Sequence, residues 1–174
     1  GNVDATYHAL KNVGNVDGNL LEIGCFCGLS SNLITFLKRA LGISRPLFSV
    51  DPWIYGAAEA RTDTLTDFTS VSWEEYQAFV REAYRSRVGF FSRDDLPHAI
   101  QQYSGDFMKL WNDGAVVTDV FGRGAELGGP LAFAFIDGDH SYEGSMEDFI
   151  NIDRHLASGG YILFDDSGDG GGRG

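Results

Sequence analysis

The sequence predicts an α/β protein built on a doubly wound, mainly parallel sheet, and three observations carry that reading. Five short apolar runs alternate with segments of helical period. The fourth run, "LAFAFI" at 131–136, is apolar on both faces, as a parallel strand covered by helices on either side has to be. Acidic residues gather where the runs end, at the edge where open α/β sheets bind ligands.

The 174 residues suit one domain, 1–174, with a real core and a flexible Gly-rich tail at 167–174. Hydrophobic residues make up 43% and charged residues 22%, a globular composition. No apolar run approaches the ~20 residues that span a bilayer, and no basic-then-apolar signal segment stands at the front. A cytoplasmic protein with no membrane partner is therefore expected. The net charge of −12 argues against a nucleic-acid partner, because phosphate contacts need clustered Lys and Arg. Cys25 and Cys27, in "CFC", would form a strained disulfide and are too few for zinc, so they read as small reduced thiols.

Taken in order, "NLLEIG" (19–24) is the first strand, and Gly24 and Gly28 allow a tight turn into a helix over 29–41. That helix places Leu29, Leu33, Phe36, Leu37, Ala40 and Leu41 on one stripe and stops at Gly42. The loop is Gly-x-x-x-Gly and lacks the third glycine of a pyrophosphate cradle, which counts against a nicotinamide cofactor. Glu22 sits inside the apolar strand. It needs either a hydrogen-bonding partner from the neighbouring helix or backbone, or a cationic ligand met directly or through water. "PLFSVD" (46–51) is the second strand; its terminal Asp51 is a strand-end cap or an acceptor for ribose hydroxyls.

A long connection, 54–71, leads to a helix over 73–86, announced by the capping-box pair Ser72 and Glu75. Its apolar face is Tyr76, Phe79, Val80, Ala83 and Tyr84. "HAIQQYSG" (98–105) is the third strand. Asp106 after it suits either a turn or an adenine amine, with Phe107 placed to pack on the ring. A second long connection, 113–129, precedes the fourth strand at 131–137. A helix over 143–157 carries Met146, Phe149, Ile150 and Leu156 and ends at Gly159-Gly160, before a fifth strand at 161–166. Trp53 and Trp111 read as core or rim packing, although Trp53 follows Asp51 closely enough to touch a bound base.

Asp137 and Asp139 end the fourth strand, and Asp165 and Asp166 end the fifth. Four carboxylates on one edge repel one another unless a hard divalent cation such as magnesium compensates them. His140 beside them is a loop histidine or a proton acceptor.

"LEIGCFCGLSS", "FSVDPW", "FIDGDHSYEGSMEDF" and "LASGGYILFDD" together resemble the class I S-adenosylmethionine-dependent methyltransferases, with their Rossmann-like fold. The likeness runs over about 19–166. It is greatest to the metal-dependent O-methyltransferases of small molecules, including macrolide-sugar enzymes. The resemblance implies that Glu22, Gly24, Cys25, Gly28 and Ser30 receive the methionine part of S-adenosylmethionine. It likewise implies that Asp51 binds the ribose, and that Asp106 and Phe107 meet the adenine edge. Asp137, Asp165 and Asp166 then match carboxylates that hold Mg2+, and Asp139, with His140, matches a general base. The implied acceptor is a small hydroxylated molecule, a sugar or a natural product.

The family's closing antiparallel strand pair is missing after the fifth strand, which implies truncation at the C-terminus. An open edge there would invite pairing between copies into a homo-oligomer. Two other readings are carried: a nucleoside-cofactor-binding domain without methyl transfer, and a nicotinamide-dependent oxidoreductase domain.

Overall fold

A strand that is apolar on both faces needs cover on both, and the chain supplies it. The computed structural model describes residues 2–54, 64–65 and 69–165. In chain order these form α1 (Asn2–Asn12), β1 (Asn19–Ile23), α2 (Leu29–Ala40), β2 (Leu47–Val50), α3 (Trp73–Phe91), β3 (His98–Ile100), α4 (Ser104–Asn112), β4 (Val116–Thr118), β5 (Gly124–Glu126), β6 (Leu131–Ile136), α5 (Tyr142–Asp153) and β7 (Leu156–Phe164). The main sheet has the order β3-β2-β1-β6-β7 with every pair parallel, while β4 and β5 form a separate antiparallel hairpin. This is the expected doubly wound α/β fold.

The two faces of the sheet bury different clusters. Leu20, Leu47, Phe133 and Phe135 pack against Ala9, Leu10 and Val13 of α1 and its following turn and Ile34 and Leu37 of α2. Leu21, Ile23, Val50, Ala134 and Ile136 pack against Phe107, Met108 and Trp111 of α4 and Ile152 of α5. All six residues of β6 are buried, as the double-sided apolar run predicts. Trp111 is core, with its ring edge against Phe48 at 5.0 Å.

Several elements differ from expectation, each for a physical reason. On α2 the buried face is Ser31, Ile34, Thr35, Leu37 and Lys38, while Leu29 and Phe36 are exposed. The helix turns this face inward because its polar members find partners. Ser31 Oγ donates to Glu22, and buried Lys38 pairs with Asp95 at 2.7 Å and donates to the Arg45 carbonyl. The capping box at Ser72 forms in both directions, but α3 runs on to Phe91 and leaves Phe79 exposed. Strand β3 stops at Ile100, and Ser104–Asp106 open a helix instead of ending a strand.

The connection 113–129 is ordered by the β4–β5 hairpin. Asp119, fully buried, accepts bonds from the Phe121 and Arg123 backbone N–H groups and the Arg123 guanidinium, with His98 Nδ1 at 3.2 Å. Helix α5 ends at Asp153, and Leu156 and Gly159-Gly160 lie inside β7, where Gly159 takes a positive φ of 84° at a shift in register. Helix α1 was not foreseen. Most of the connection 54–71, Asp166 and the tail 167–174 lie outside the described residues.

Candidate functional site

The strand tips end nearly in line. Gly24 N–H donates to Val50 O, Asp137 N–H to Ile23 O, Asp51 N–H to Ile100 O and Asp165 N–H to Ile136 O, at 2.8 to 3.2 Å. Above them opens a cleft of about 740 Å³. One wall is Gly24, Phe26, Asp51, Pro52 and Ile54, from the loops after β1 and β2. The other is Asp137–His140 after β6, Tyr103–Asp106 at the start of α4, and Gly144, Glu147 and Asp148 on α5.

Gly24 has to be glycine. Its φ is 80°, and a Cβ there would overlap the Asp137 carbonyl, so the loops after β1 and β6 meet backbone to backbone. Gly28, with φ 84°, is glycine for another reason: a side chain would strike Val88 and crowd Tyr84 of α3.

Asp51 organises the wall it stands in. Its Oδ2 accepts from the Cys25 and Phe26 N–H groups at 3.0 and 2.9 Å, and its Oδ1 from Trp53 N–H at 2.6 Å. The Trp53 indole donates to Phe26 O at 2.9 Å. Phe26 and Trp53 are the described non-glycine residues with positive φ, 42° and 49°. Such conformations persist where surrounding bonds over-determine them, and here Asp51 and the indole do so.

Sequence-predicted residues divide accordingly. Gly24, Asp51, Asp106, Asp137, Asp139 and His140 all line the cleft. Glu22 is turned away from it, fully buried, with Oε2 accepting from Ser31 and Ser49 hydroxyls at 2.5 and 2.6 Å. Its other oxygen accepts no hydrogen bond. Burial pushes its pKa up to about 7, opposed by the hydroxyls of Ser30, Ser31 and Ser49 and helped slightly by Asp137. The helix-partner reading of Glu22 therefore holds in the structure, and the direct ligand contact does not.

Trp53, 1% exposed, lies edge-on to Tyr84, and Phe107 is wholly buried 5.6 Å from the Trp111 ring. Neither ring is on the cleft, which corrects the expectation that Phe107 packs on a ligand base or that Trp53 touches one. The Cys25 side chain is likewise buried beside Tyr84, and burial holds its thiol well above the ordinary range. Cys25 contributes its backbone N–H to Asp51 rather than a reactive sulfur.

Asp139 is exposed at the start of α5. Its Oδ1 accepts from Ser141 N–H at 2.8 Å, and its carbonyl accepts from the Ser145 hydroxyl. Asp137 and Asp165 stand at the tips of adjacent parallel strands. Among the described residues no three His, Cys, Asp or Glu side chains converge as a metal site, and Asp166 lies outside them.

Reading by strand ends found Asp106 of α4 and missed the α5 contribution. Gly144, Glu147 and Asp148 have the i, i+3, i+4 spacing of one helix face, which is a legible signal. Six carboxyl groups, from Asp51, Asp106, Asp137, Asp139, Glu147 and Asp148, line the cleft with one lysine, Lys109. That lysine is paired with Asp106 at 2.7 Å. The cleft therefore favours a cationic ligand over an anionic one.

A parallel sheet in this order, with a glycine turn after β1 and an acid at the tip of β2, defines a Rossmann-like domain whose cleft lies at the strands' carboxyl ends. Residues 21–167 match the model of a methyltransferase-domain family, and the chain belongs to that family. Among curated proteins it is similar to the uncharacterized protein R132 of Acanthamoeba polyphaga mimivirus. That likeness is 26% identity over 167 residues, covering 94% of this chain and 59% of that protein.

Among solved structures it resembles the O-methyltransferase NovP, with 20% identity, TM-score 0.57, and 95% of this chain against 64% of that one. It resembles the O-methyltransferase from Bacillus cereus in complex with SAH, with 16% identity, TM-score 0.55, and coverage of 89% and 51%. It also resembles the calicheamicin methyltransferase CalS11, with 15% identity, TM-score 0.54, and coverage of 94% and 62%. The chain thus spans between about half and two thirds of the length of these relatives. At such identities the structural likenesses establish the fold. No helix among the described residues is long and apolar enough to cross a membrane.

Proposed function

We propose that this chain is the cofactor-binding part of an S-adenosylmethionine-dependent O-methyltransferase acting on a small hydroxylated molecule, a sugar or natural product. One observation carries the reading. The backbone contact of Gly24 with Asp137 sets the loop that would receive the cofactor's methionine part directly beside the acidic loop after β6. A sulfonium and an ammonium carry two positive charges, and the carboxyl-lined cleft suits both. Two free thiols, buried Cys25 and half-buried Cys27, both held above the ordinary range by burial, fit a reducing cytoplasmic setting.

In the reaction the acceptor oxygen bonds to the methyl carbon as the sulfur–carbon bond breaks, and the sulfur leaves as a neutral thioether. The sulfonium is already activated, so the chain's task is to hold the oxygen in line with that bond and to take its proton. Asp139 and His140, both exposed on the cleft wall, would take it. The Ser141 N–H holds one Asp139 oxygen and so orients the other.

Asp137 and Asp165, with Asp166 after them, offer hard oxygen donors of the kind magnesium prefers. When bound there, magnesium would lower the pKa of the acceptor hydroxyl.

Calorimetric titration of S-adenosylhomocysteine into the protein tests the cofactor reading, and a folded sample that binds none overturns it. Methyl transfer to hydroxylated acceptors, followed with magnesium and with a chelator, tests the chemistry. Asp139→Asn is expected to cut kcat by about a hundredfold while leaving cofactor affinity unchanged. Equal rates in the variant and the parent would remove Asp139 from the mechanism.

A further inference from the structure

Helix α2 turns an apolar stripe to solvent. Leu29, Leu33, Phe36 and Ala40 stand at i, i+4, i+7 and i+11, the spacing of one helix face. Leu29 is 86% and Phe36 68% exposed, Ala40 is exposed, and Leu33 is covered only in part. The opposite face of α2 makes the core contacts, through Ser31, Ile34, Thr35 and Lys38. The end of α3 lies beside α2: Ser92 Oγ donates to Asn32 Oδ1 at 2.6 Å, and Arg39 stands 3.7 Å from Asp94. There Phe90 and Phe91, each 70% exposed, meet edge-on with ring centres 5.1 Å apart. None of these six apolar residues lines the cleft.

Together Leu29, Phe36, Phe90 and Phe91 leave on the order of 500 Å² of apolar surface in water, toward the upper end of what a monomer exposes. Two copies brought face to face would cover about 1,000 Å² before any flanking residue, which reaches the size of a specific contact.

Charge selects the occupant. The chain carries a net −12, yet α2 has no Asp or Glu, so two copies can meet along it without opposing carboxylates. An anionic lipid surface or a nucleic acid needs cations free of carboxylates. Here Arg39 and Arg93 both stand beside Asp94, at 3.7 and 3.9 Å, and Lys38 is buried against Asp95. A rim of mixed sign suits a copy of itself, where Arg93 of one chain can meet Asp94 of the other.

We propose that α2 is a dimerisation face, on which a second copy of this chain packs its own α2 antiparallel about a two-fold axis. Such an axis sets the stripe against itself reversed. With the axis midway along it, Phe36 of one copy faces Leu33 of the other, and bulky Leu29 faces small Ala40.

Sedimentation equilibrium over a wide range of concentration tests this, with thermal unfolding to confirm that each variant is folded. The parent is expected to be a dimer. Phe36→Asp sets two carboxylates against apolar residues near the axis and is expected to weaken association by more than about a hundredfold. Leu29→Asp, with the same expected loss, takes its place should Phe36→Asp fail to fold. Phe79→Asp, at a Phe 66% exposed on the first half of α3, is expected to leave association unchanged. An equal mixture of Phe36→Asp and Phe36→Lys chains is expected to recover dimers that neither forms alone.

A monomeric parent overturns the proposal, as does a dimer that survives Phe36→Asp or is lost in Phe79→Asp. A mixture that stays monomeric overturns the pairing of α2 with α2. A monomeric parent that floats with phosphatidylserine vesicles, and no longer does so as Phe36→Asp, assigns the face to lipid instead.

Discussion

Glu22→Gln removes a titrating group from beneath the first loop while keeping its shape. In the native protein this carboxyl titrates at about 7, against an ordinary 4.5, chiefly because it is fully buried. Between those two values the native state keeps a proton that the unfolded chain has lost, so stability falls as pH rises through the window. The native penalty is absent below pH 4.5, grows up to about 7 and is complete above it. It amounts to about 3 kcal/mol.

The amide carries no charge at any of these pH values, and its N–H₂ can replace the oxygen that accepts no bond. Tyr84 is near it: its buried hydroxyl also lacks a partner, and burial, with the Glu22 carboxyl among the lesser causes, holds that hydroxyl well above its ordinary range and so neutral. Urea unfolding of both proteins from pH 4.5 to 8.5 reads the difference directly, provided the m-values agree. The variant is expected to match the parent or fall about 1 kcal/mol below it at the acid end. At the alkaline end it should exceed the parent by about 2 kcal/mol or more. Parallel pH profiles for the two proteins would refute the reasoning, because they would show that Glu22 does not titrate late.

Gly24→Ala forces a side chain into the Asp137 carbonyl at a positive φ, and should cost on the order of 3 kcal/mol or more in chemical unfolding. A loss below about 1 kcal/mol would mean the two loops separate easily. Asp119→Ala leaves the Arg123 guanidinium and two backbone N–H groups without their acceptor, with an expected loss of about 3 kcal/mol. Hydrogen exchange should show the loss first in 116–126; uniform protection there would contradict the role given to Asp119.

The strands were legible because a buried parallel sheet demands uninterrupted apolar runs, and β6 has no polar residue to confuse the pattern. Helix faces were less legible where polar side chains do the packing. On α2, Ser31 and Lys38 are buried because Glu22 and Asp95 await them, and no hydrophobic stripe reveals that. The hairpin was hidden for a related reason. It is held by Asp119 and Arg123, whose meeting with His98 depends on the tertiary fold. The acids at the strand tips were visible as site residues, since topology alone brings them to one edge. Asp148 is legible only through its helical spacing with Gly144 and Glu147, because it stands on a helix and not at a strand tip.

Asp51 shows why a lost ligand and a lost contact have to be told apart. Its carboxylate accepts three backbone N–H groups and so shapes the loop that carries Phe26 and Trp53 in strained conformations. Asp51→Ala would weaken cofactor binding through that loop even if no ribose hydroxyl ever touched the acid. A cycle that varies the ligand as well separates the two. If Asp51 accepts from the ribose, removing the ligand's 2′- or 3′-hydroxyl costs the parent about tenfold or more in affinity. The same deletion then costs Asp51→Ala far less, because the partner is already gone. If the acid serves the loop alone, the hydroxyl deletion costs both proteins equally, and Asp51 is a positioning residue for the wall of the cleft rather than part of the surface that reads the sugar.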